Sequence, residues 1–423
     1  MTSPASMRFD AHRRAPAPIR VARLLAALIV PVLLLTVLMT VLAGAQQAGA
    51  SPAAPVAEWF RLGDEALADW SVERNPDRPD EVTLRPRRAP AGPLRRVLVV
   101  YPRPSDAYDV AMATMLAVFS RKGQDLAVTA VNFGNDDARG RALLRHAADE
   151  GVSLILAMGS ESTAWLWEHY RGGAIPVVTV CSKDPVLLGQ AAGYDRGSGT
   201  NFAFTSLNVP IDVQMAYLKT LKPALTHIAV IEDPQNVSAL ETQVKPLLAY
   251  AQAHGLRVTT LSLRETDPAA ELERRMRETV AAMARTDPPL AASVFWVTGS
   301  TSIFRQMPAI NAHAGRVPVL SAVPDLVKAG EDSAALSIGI RFESNAHLAA
   351  LYALDVLSGR VEVGRLAVGV ISPPDIAVSF RRLRATGTAL PLALFEAAGT
   401  LYDYENRAVR TNGVSVGRMT VAR

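Results

Sequence analysis

Val152–Thr163 reads VSLILAMGSEST, and Ser293–Ser302 reads SVFWVTGSTS. Each is an apolar run that breaks at a glycine and passes into Ser and Thr. Short apolar runs bounded by turn residues predict strands buried on both faces. Helical periodicity follows each turn, over Ser162–Tyr170 and Ser302–Ala314. A strand, a Gly-hydroxyl turn and a helix, repeated at matching points of one chain, indicate two α/β units.

The same grammar extends outward from both quoted stretches. The first series predicts strands at Val97–Tyr101, Leu126–Phe133 and Pro176–Val180, with helices at Ala107–Lys122 and Ala138–Glu150. The second predicts strands at His227–Glu232, Leu256–Leu263 and Pro318–Val323, with helices at Val237–His254 and Pro268–Arg285. Ala335–Phe342 closes the second series, Glu343–Leu357 predicts a helix, and Leu366–Ile371 predicts a strand returning to the first lobe. Strands that alternate with helices and are apolar throughout belong in parallel sheets covered on both faces. The expected fold is therefore α/β: two doubly wound parallel-sheet lobes joined by a hinge. Residues 95–205 plus 366–399 make lobe I, and residues 206–365 make lobe II.

Residues 51–94 read as a linker, with room for one short helix over Glu58–Trp70 and a Pro-, Arg- and Asp-rich stretch over Arg74–Pro93. Residues 400–423 read as a C-terminal tail in which Asn412-Gly413 predicts a hairpin turn. Residues 1–50 read as a signal peptide or a membrane anchor. Leu24–Ala43 runs for 20 residues without a charge behind an Arg-rich end. A helix of that length spans roughly the 30 Å core of a bilayer. Small-residue sites at Ala43-Gly44-Ala45 and Ala48-Gly49-Ala50 fit signal-peptidase cleavage. In both readings the Arg-rich end stays cytoplasmic and the body is exported to the periplasm. If the segment is uncleaved, membrane contact is confined to residues 21–44. No Cys follows the apolar run, which excludes a lipid anchor.

The formal charge of +4 resides in that leader, and the remainder carries 39 basic and 39 acidic residues. A neutral body argues against nucleic acid as a partner, because phosphate binding needs clustered cations. The single cysteine, Cys181, excludes an internal disulfide and reads as a small core residue. Trp165 and Trp167 read as packing residues. No phosphate-cradling glycine motif follows the first strand, and Gly159-Ser160-Glu161-Ser162 lacks the closing glycine of a nucleophile elbow. The seven His are scattered, with no metal-ligand spacing. The expectation is no catalytic residue, no metal and no cofactor.

Ligands of open parallel sheets bind beyond the carboxyl ends of the strands. The candidate ligand-binding residues are those at the strand tips: Gly159, Ser160, Ser162 and Thr163 in the first series, and Gly299, Ser300 and Thr301 in the second. Glycine permits close backbone approach, hydroxyls donate and accept, and helix N-termini attract anions. Helix capping by the same Ser and Thr is the alternative use of these turns. Asp184, after Pro176–Val180, either caps the next helix or holds a ligand amine. Thr205 and Ser206, before the helix near Pro210, Asp233-Pro234-Gln235-Asn236, after His227–Glu232, and Asp325, after Val323, complete the set.

Several segments, in order, resemble the ABC-transporter substrate-binding proteins of the type I periplasmic-binding fold, in the group with tryptophan- and phenylalanine-binding members. Leu154–Ala164 (LILAMGSESTA) is similar to the family's apolar strand, Gly turn and helix start. Ile175–Gly189 (IPVVTVCSKDPVLLG) is similar to its Asp-Pro segment. Asn201–Pro223 (NFAFTSLNVPIDVQMAYLKTLKP) is similar to its Asn turn and the helix after it, and Val327–Gly339 and Leu348–Gly359 are similar to its closing segments. The resemblance covers roughly Arg95–Pro391 and implies a ligand held between the lobes by the turns named above. Two functions are then in play. One is a transport receptor handing an amino-acid-like solute or small carboxylate to an ABC permease. The other is a sensory binding protein signalling to a membrane receptor or kinase. An exported α/β enzyme is the third, weaker reading, since no nucleophile, base or metal set is assembled.

Overall fold

The computed structural model describes residues 54–416, except residue 265. Two sheets organise these residues. The first contains β3 (Trp70–Asn75), β4 (Arg78–Pro86), β5 (Arg95–Tyr101), β6 (Leu126–Asn132), β7 (Leu154–Met158), β8 (Val177–Val180) and β9 (Phe202–Ala203), in the order β3-β4-β6-β5-β7-β8-β9. Pairing from β6 to β9 is parallel, and β3 and β4 add antiparallel at one edge. Alternation places the residues: Val97, Val99 and Tyr101 face one apolar layer, and Leu98 and Val100 face the other. Both layers are covered by helices, so β5 is apolar at every central position.

The second sheet contains β10 (His227–Glu232), β11 (Arg257–Ser262), β12 (Ser293–Val297), β13 (Val319–Ser321), β14 (Leu336–Gly339), β15 (Asp375–Ser379), β16 (Thr400–Tyr402), β17 (Ala408–Thr411) and β18 (Val414–Ser415). Its order is β11-β10-β12-β13-β14-β15-β16-β17-β18. Here Val294 and Trp296 face one layer and Phe295 and Val297 the other. Over it lies the helix Ala269–Thr286, which buries Leu272, Met276 and Met283 while Arg274 pairs outward with Glu271 and Glu278.

The chain passes between the sheets at Thr205–Asn208, at Ile340–Arg341 and again after Gly369. The helix Phe342–Leu357 follows a strand of the second sheet but packs in the first lobe. Its fully buried Ala346, Ala349, Ala350 and Ala353 lie against the helix Asp106–Arg121. Small side chains allow that close approach.

Three expectations need correction. The stretch expected as a linker is folded into the first lobe: β1 (Ala54–Ala57) pairs with β2 (Phe60–Leu62), and β3–β4 form a hairpin on β6. The short helix is confined to Asp64–Asp69. In β4, Val82 and Leu84 enter the core between outward-facing neighbours, and Trp70 is buried with its indole N–H on Ser120 Oγ at 2.9 Å. Pro79 and Pro86 are tolerated because they lie at the ends of the strand, outside its paired run with β6. Second, Leu366–Ile371 forms no strand. Only Gly369 bridges to Thr205, and β15, expected in lobe I, runs antiparallel to β14 in the second sheet. Third, residues 400–416 are not an appended tail but β16–β18 of that sheet. The hairpin at Asn412-Gly413 is present, with both residues at positive φ. The leader, residues 1–50, lies outside the described residues. Among the described residues no helix is long and apolar enough to cross a membrane.

Candidate functional site

Strand tips and helix starts of both sheets meet around a cleft between the lobes. The first lobe contributes Ser105, Tyr108, Ser160, Glu161 and Lys183. The second contributes Asn236, Gln243, Gly299, Thr301 and Phe304. The cleft encloses about 670 Å³, its solvent-open mouth included.

Lys183 is the physical bridge across it. The residue follows β8, and its backbone N–H donates to Ser160 Oγ at 2.9 Å. Its ammonium reaches the other lobe and donates to the Gly299 carbonyl at 3.0 Å. Gly299 in turn donates its N–H to Gln243 Oε1 at 2.7 Å. Gln243 stands in a π-helical turn, Leu240–Val244, between the helices Val237–Ala239 and Lys245–His254. The wider turn re-aims the side chains it carries. Burial pulls the Lys183 ammonium down to about 8. Burial pushes the Tyr108 phenol and the Cys181 thiol up. Cys181 is buried, with its sulfur on the Phe342 carbonyl at 3.8 Å.

The two glycines of the quoted turns are needed for space, but protein side chains fill that space. A Cβ on Gly159 would stand 2.1 Å from the Tyr108 hydroxyl, and Gly159 has φ +79°. A Cβ on Gly299 would stand 2.4 Å from Lys183 Nζ.

Of the expected site residues, Ser160, Gly299 and Thr301 line the cleft. Ser300 sits just behind, accepting a hydrogen bond from Asn236 Nδ2 at 2.9 Å. Ser162 and Thr163 are fully buried in the first lobe, and Thr163 Oγ1 caps back onto the Gly159 carbonyl at 2.8 Å. Asp184 is a capping residue: its carboxylate accepts the N–H groups of Val186 and Leu187 and the Tyr194 hydroxyl. Thr205 and Ser206 sit at the first crossing between lobes. Thr205 Oγ1 is 2.7 Å from the Thr179 carbonyl, and Asn345 Nδ2 donates to the Ser206 carbonyl at 3.1 Å. Asp325 opens on a neighbouring groove with Trp59, Asp109 and Arg341, where burial pushes its carboxyl up to about 6.

Lys183, Gln243, Tyr108 and Asn345 were not among the expected residues, whereas Asn236, in the loop after β10, was. Lys183 carried a signal, being a charge one residue from a buried strand tip. Asn345 carried another, as a lone amide in an apolar helix. Trp165 and Trp167 pack as expected, against Phe133 and His169 and against Phe202 and Phe204. Among the described residues no group of three or more His, Cys, Asp or Glu is placed to hold a metal ion.

The model of the ABC transporter substrate binding protein family matches residues 121–399. The chain belongs to this family. Its members are binding proteins, not enzymes, and work outside the cytoplasm with an ABC transporter and a small-molecule substrate. Solved structures agree on the fold. A ligand-free, open substrate-binding protein with adhesive properties from Clostridium difficile is 21% identical, with a TM-score of 0.56 over 72% of this chain and 98% of its own. A conserved domain protein from Vibrio cholerae is 18% identical, with a TM-score of 0.59 over 73% and 99%. An ABC domain from Streptococcus pneumonia in complex with L-Trp is 16% identical, with a TM-score of 0.59 over 73% and 100%. All three share the type I periplasmic-binding fold with this family member. No curated protein matches the chain significantly.

Proposed function

We propose that this substrate-binding protein is exported by its N-terminal leader and captures a small solute in the interlobe cleft for an ABC permease. The ligand class is an amino-acid-like compound or a small carboxylate. One observation carries the reading: residues of both lobes, Ser160 and Lys183 on one side and Gln243, Gly299 and Thr301 on the other, converge on one cavity. Ligand contacts one lobe first, and rotation about the crossing segments adds the contacts of the other. A solute bound in this way stabilises the folded protein by mass action.

The test is a thermal-shift screen of the purified protein against amino acids, small carboxylates, sugars and nucleobases. A solute that raises the melting temperature, and does so less in Ser160→Ala or Thr301→Ala, supports the site. Stabilisation unchanged in both variants would remove it. The uncharged run Leu24–Ala43 favours a second reading, a membrane-tethered sensor. Sequencing the N-terminus of the mature protein separates the two: cleavage after Ala45 or Ala50 fits a free receptor, and an intact leader fits a tethered one.

A further inference from the structure

The cleft reading leaves the charge of the ligand undefined, and the ionisable groups of the cavity narrow it. Arg103, Glu161 and Lys183 line the cleft. Arg103 Nε donates to Glu161 Oε2 at 2.9 Å, and this pair stands at the solvent edge with more than a third of each side chain exposed. Its charges compensate each other. Lys183 is different. It is 7% exposed, and its one hydrogen-bonded side-chain partner is the neutral Gly299 carbonyl. Among the described residues no carboxylate pairs with it, and the nearby Cys181 thiol, its ionisation opposed by burial, stays neutral. An ammonium buried without a counter-ion costs several kcal/mol in desolvation. Even so, a group with its pKa near 8 remains mostly protonated at neutral pH.

The rest of the lining is neutral. Ser160, Ser238, Thr301, Asn236 and Gln243 offer hydroxyls and amides, and Phe304, Val323, Ile340 and Phe342 offer apolar surface. A zwitterion would need a carboxylate for its own ammonium. Glu161 is held by Arg103, and Asp184 is closed off by two backbone N–H groups and Tyr194. Asp325 opens on the neighbouring groove, where the Arg341 guanidinium faces it. The cleft thus holds one uncompensated positive charge, against apolar walls.

We propose that Lys183 is the anion receptor of this cleft, and that the ligand is a monoanionic organic acid with an apolar body and no ammonium group. The proposal rests on the reading of the cleft as the ligand site. One ammonium proton is engaged by Gly299, and the other two are available to a carboxylate. Because the side chain starts in the first lobe and rests on the second, an anion that binds it is held by the closed arrangement of both. A single lysine supplies one unit of charge, which suits a carboxylate better than a phosphate dianion.

The test uses the full chain and two matched series: 3-phenylpropionate, phenylalanine and 3-phenylpropanamide, then hexanoate, norleucine and hexanamide. Inorganic phosphate is a separate arm. Affinities come from calorimetry. The acid of at least one series is expected to bind roughly tenfold to a hundredfold more tightly than its amino-acid and amide partners, the worth of one charge-assisted hydrogen bond. Lys183→Met, which keeps the unbranched stem, should remove that advantage while the variant still melts cooperatively. Tighter binding of the amino acid, equal binding of the amide, preference for phosphate, or an acid affinity untouched by Lys183→Met overturns the proposal. So does failure of every acid to bind. If an amino acid or a neutral solute binds and is lost in Thr301→Ala, the cleft reading stands while the anion assignment falls. If binding survives every cleft substitution, both fall.

Discussion

Gly299 and Lys183 leave no room for a side chain between them, with only 2.4 Å between a Cβ at the glycine and the ammonium nitrogen. The obstructing atom is the tip of a flexible chain, and Gly299 has no left-handed backbone to lose. Gly299→Ala should therefore fold with a cost below about 1 kcal/mol, the ordinary range for a substitution that strains nothing. Its ammonium must swing away from the Gly299 carbonyl, and anion binding should weaken by about tenfold. Calorimetry with 3-phenylpropionate, set beside a thermal melt, reads both effects.

The ammonium of Lys183 also sets a pH dependence. An anion prefers the charged lysine, so affinity should be level below pH about 8 and fall roughly tenfold per unit above it, until the higher pKa of the liganded form is passed. Stability moves the other way. Between about 8 and 9 the unfolded chain holds the proton that the folded chain has lost, so stability should rise with pH across that window; above it the buried Cys181 thiol, which folding keeps protonated, opposes the lysine. In Lys183→Met both trends should vanish. A Met variant whose melting temperature keeps the same rise would assign it to another group.

Asn345 ties the first crossing together. It is fully buried, accepts from the Cys181 N–H at 2.8 Å and donates to the Ser206 carbonyl at 3.1 Å. Asn345→Ala strands those two backbone groups in a dry interior. We expect a loss of about 2–4 kcal/mol, at 1–3 kcal/mol for each unsatisfied group less relaxation. Urea denaturation measures it. A loss under about 0.5 kcal/mol would mean that water replaces the amide.

Gly159 meets two separate obstacles, its positive φ and the Tyr108 hydroxyl. Gly159→Ala should destabilise by about 1–2 kcal/mol from the backbone and a further 1–3 kcal/mol from crowding. In the Tyr108→Phe background the nearest atom is gone, and the added cost of the alanine should shrink while the backbone part persists. A double-mutant cycle in denaturant separates the two. Strict additivity would show that the hydroxyl is no obstacle.

The sheets of both lobes were legible because their strands are buried on both faces and their helices are periodic. Val97–Tyr101 and Ser293–Thr298 needed no tertiary knowledge. The β3–β4 hairpin was not legible. Val82 and Leu84 alternate with Glu81, Thr83 and Arg85 as an edge strand should, but Pro and Arg at high density over Arg74–Pro93 obscured two apolar residues. The strand near residue 368 was misplaced because Leu366–Ile371 is apolar in order to pack, with Val368 in the first lobe's core, and not in order to pair. At the site, the glycine turns were correctly located at strand tips. Their neighbours were not. Whether a hydroxyl faces a cavity or the core depends on rotation about the helix axis, and in the helix Gly159–Tyr170 Ser160 faces the cleft while Ser162 and Thr163 turn inward. Lys183 and Asp184 are adjacent in sequence, and only packing shows that the lysine reaches the cleft while the aspartate closes its own turn.

The alanine face of the helix Phe342–Leu357 has a further meaning. That helix arrives only after the chain has built most of the other sheet, yet the first lobe's core is bare without it. Neither lobe can be cut from the gene as a continuous piece and remain sound. A fragment ending before residue 342 would leave the helix Asp106–Arg121 without the helix it packs against, and would be a natural substrate for proteases. The lobes therefore acquire their stability together.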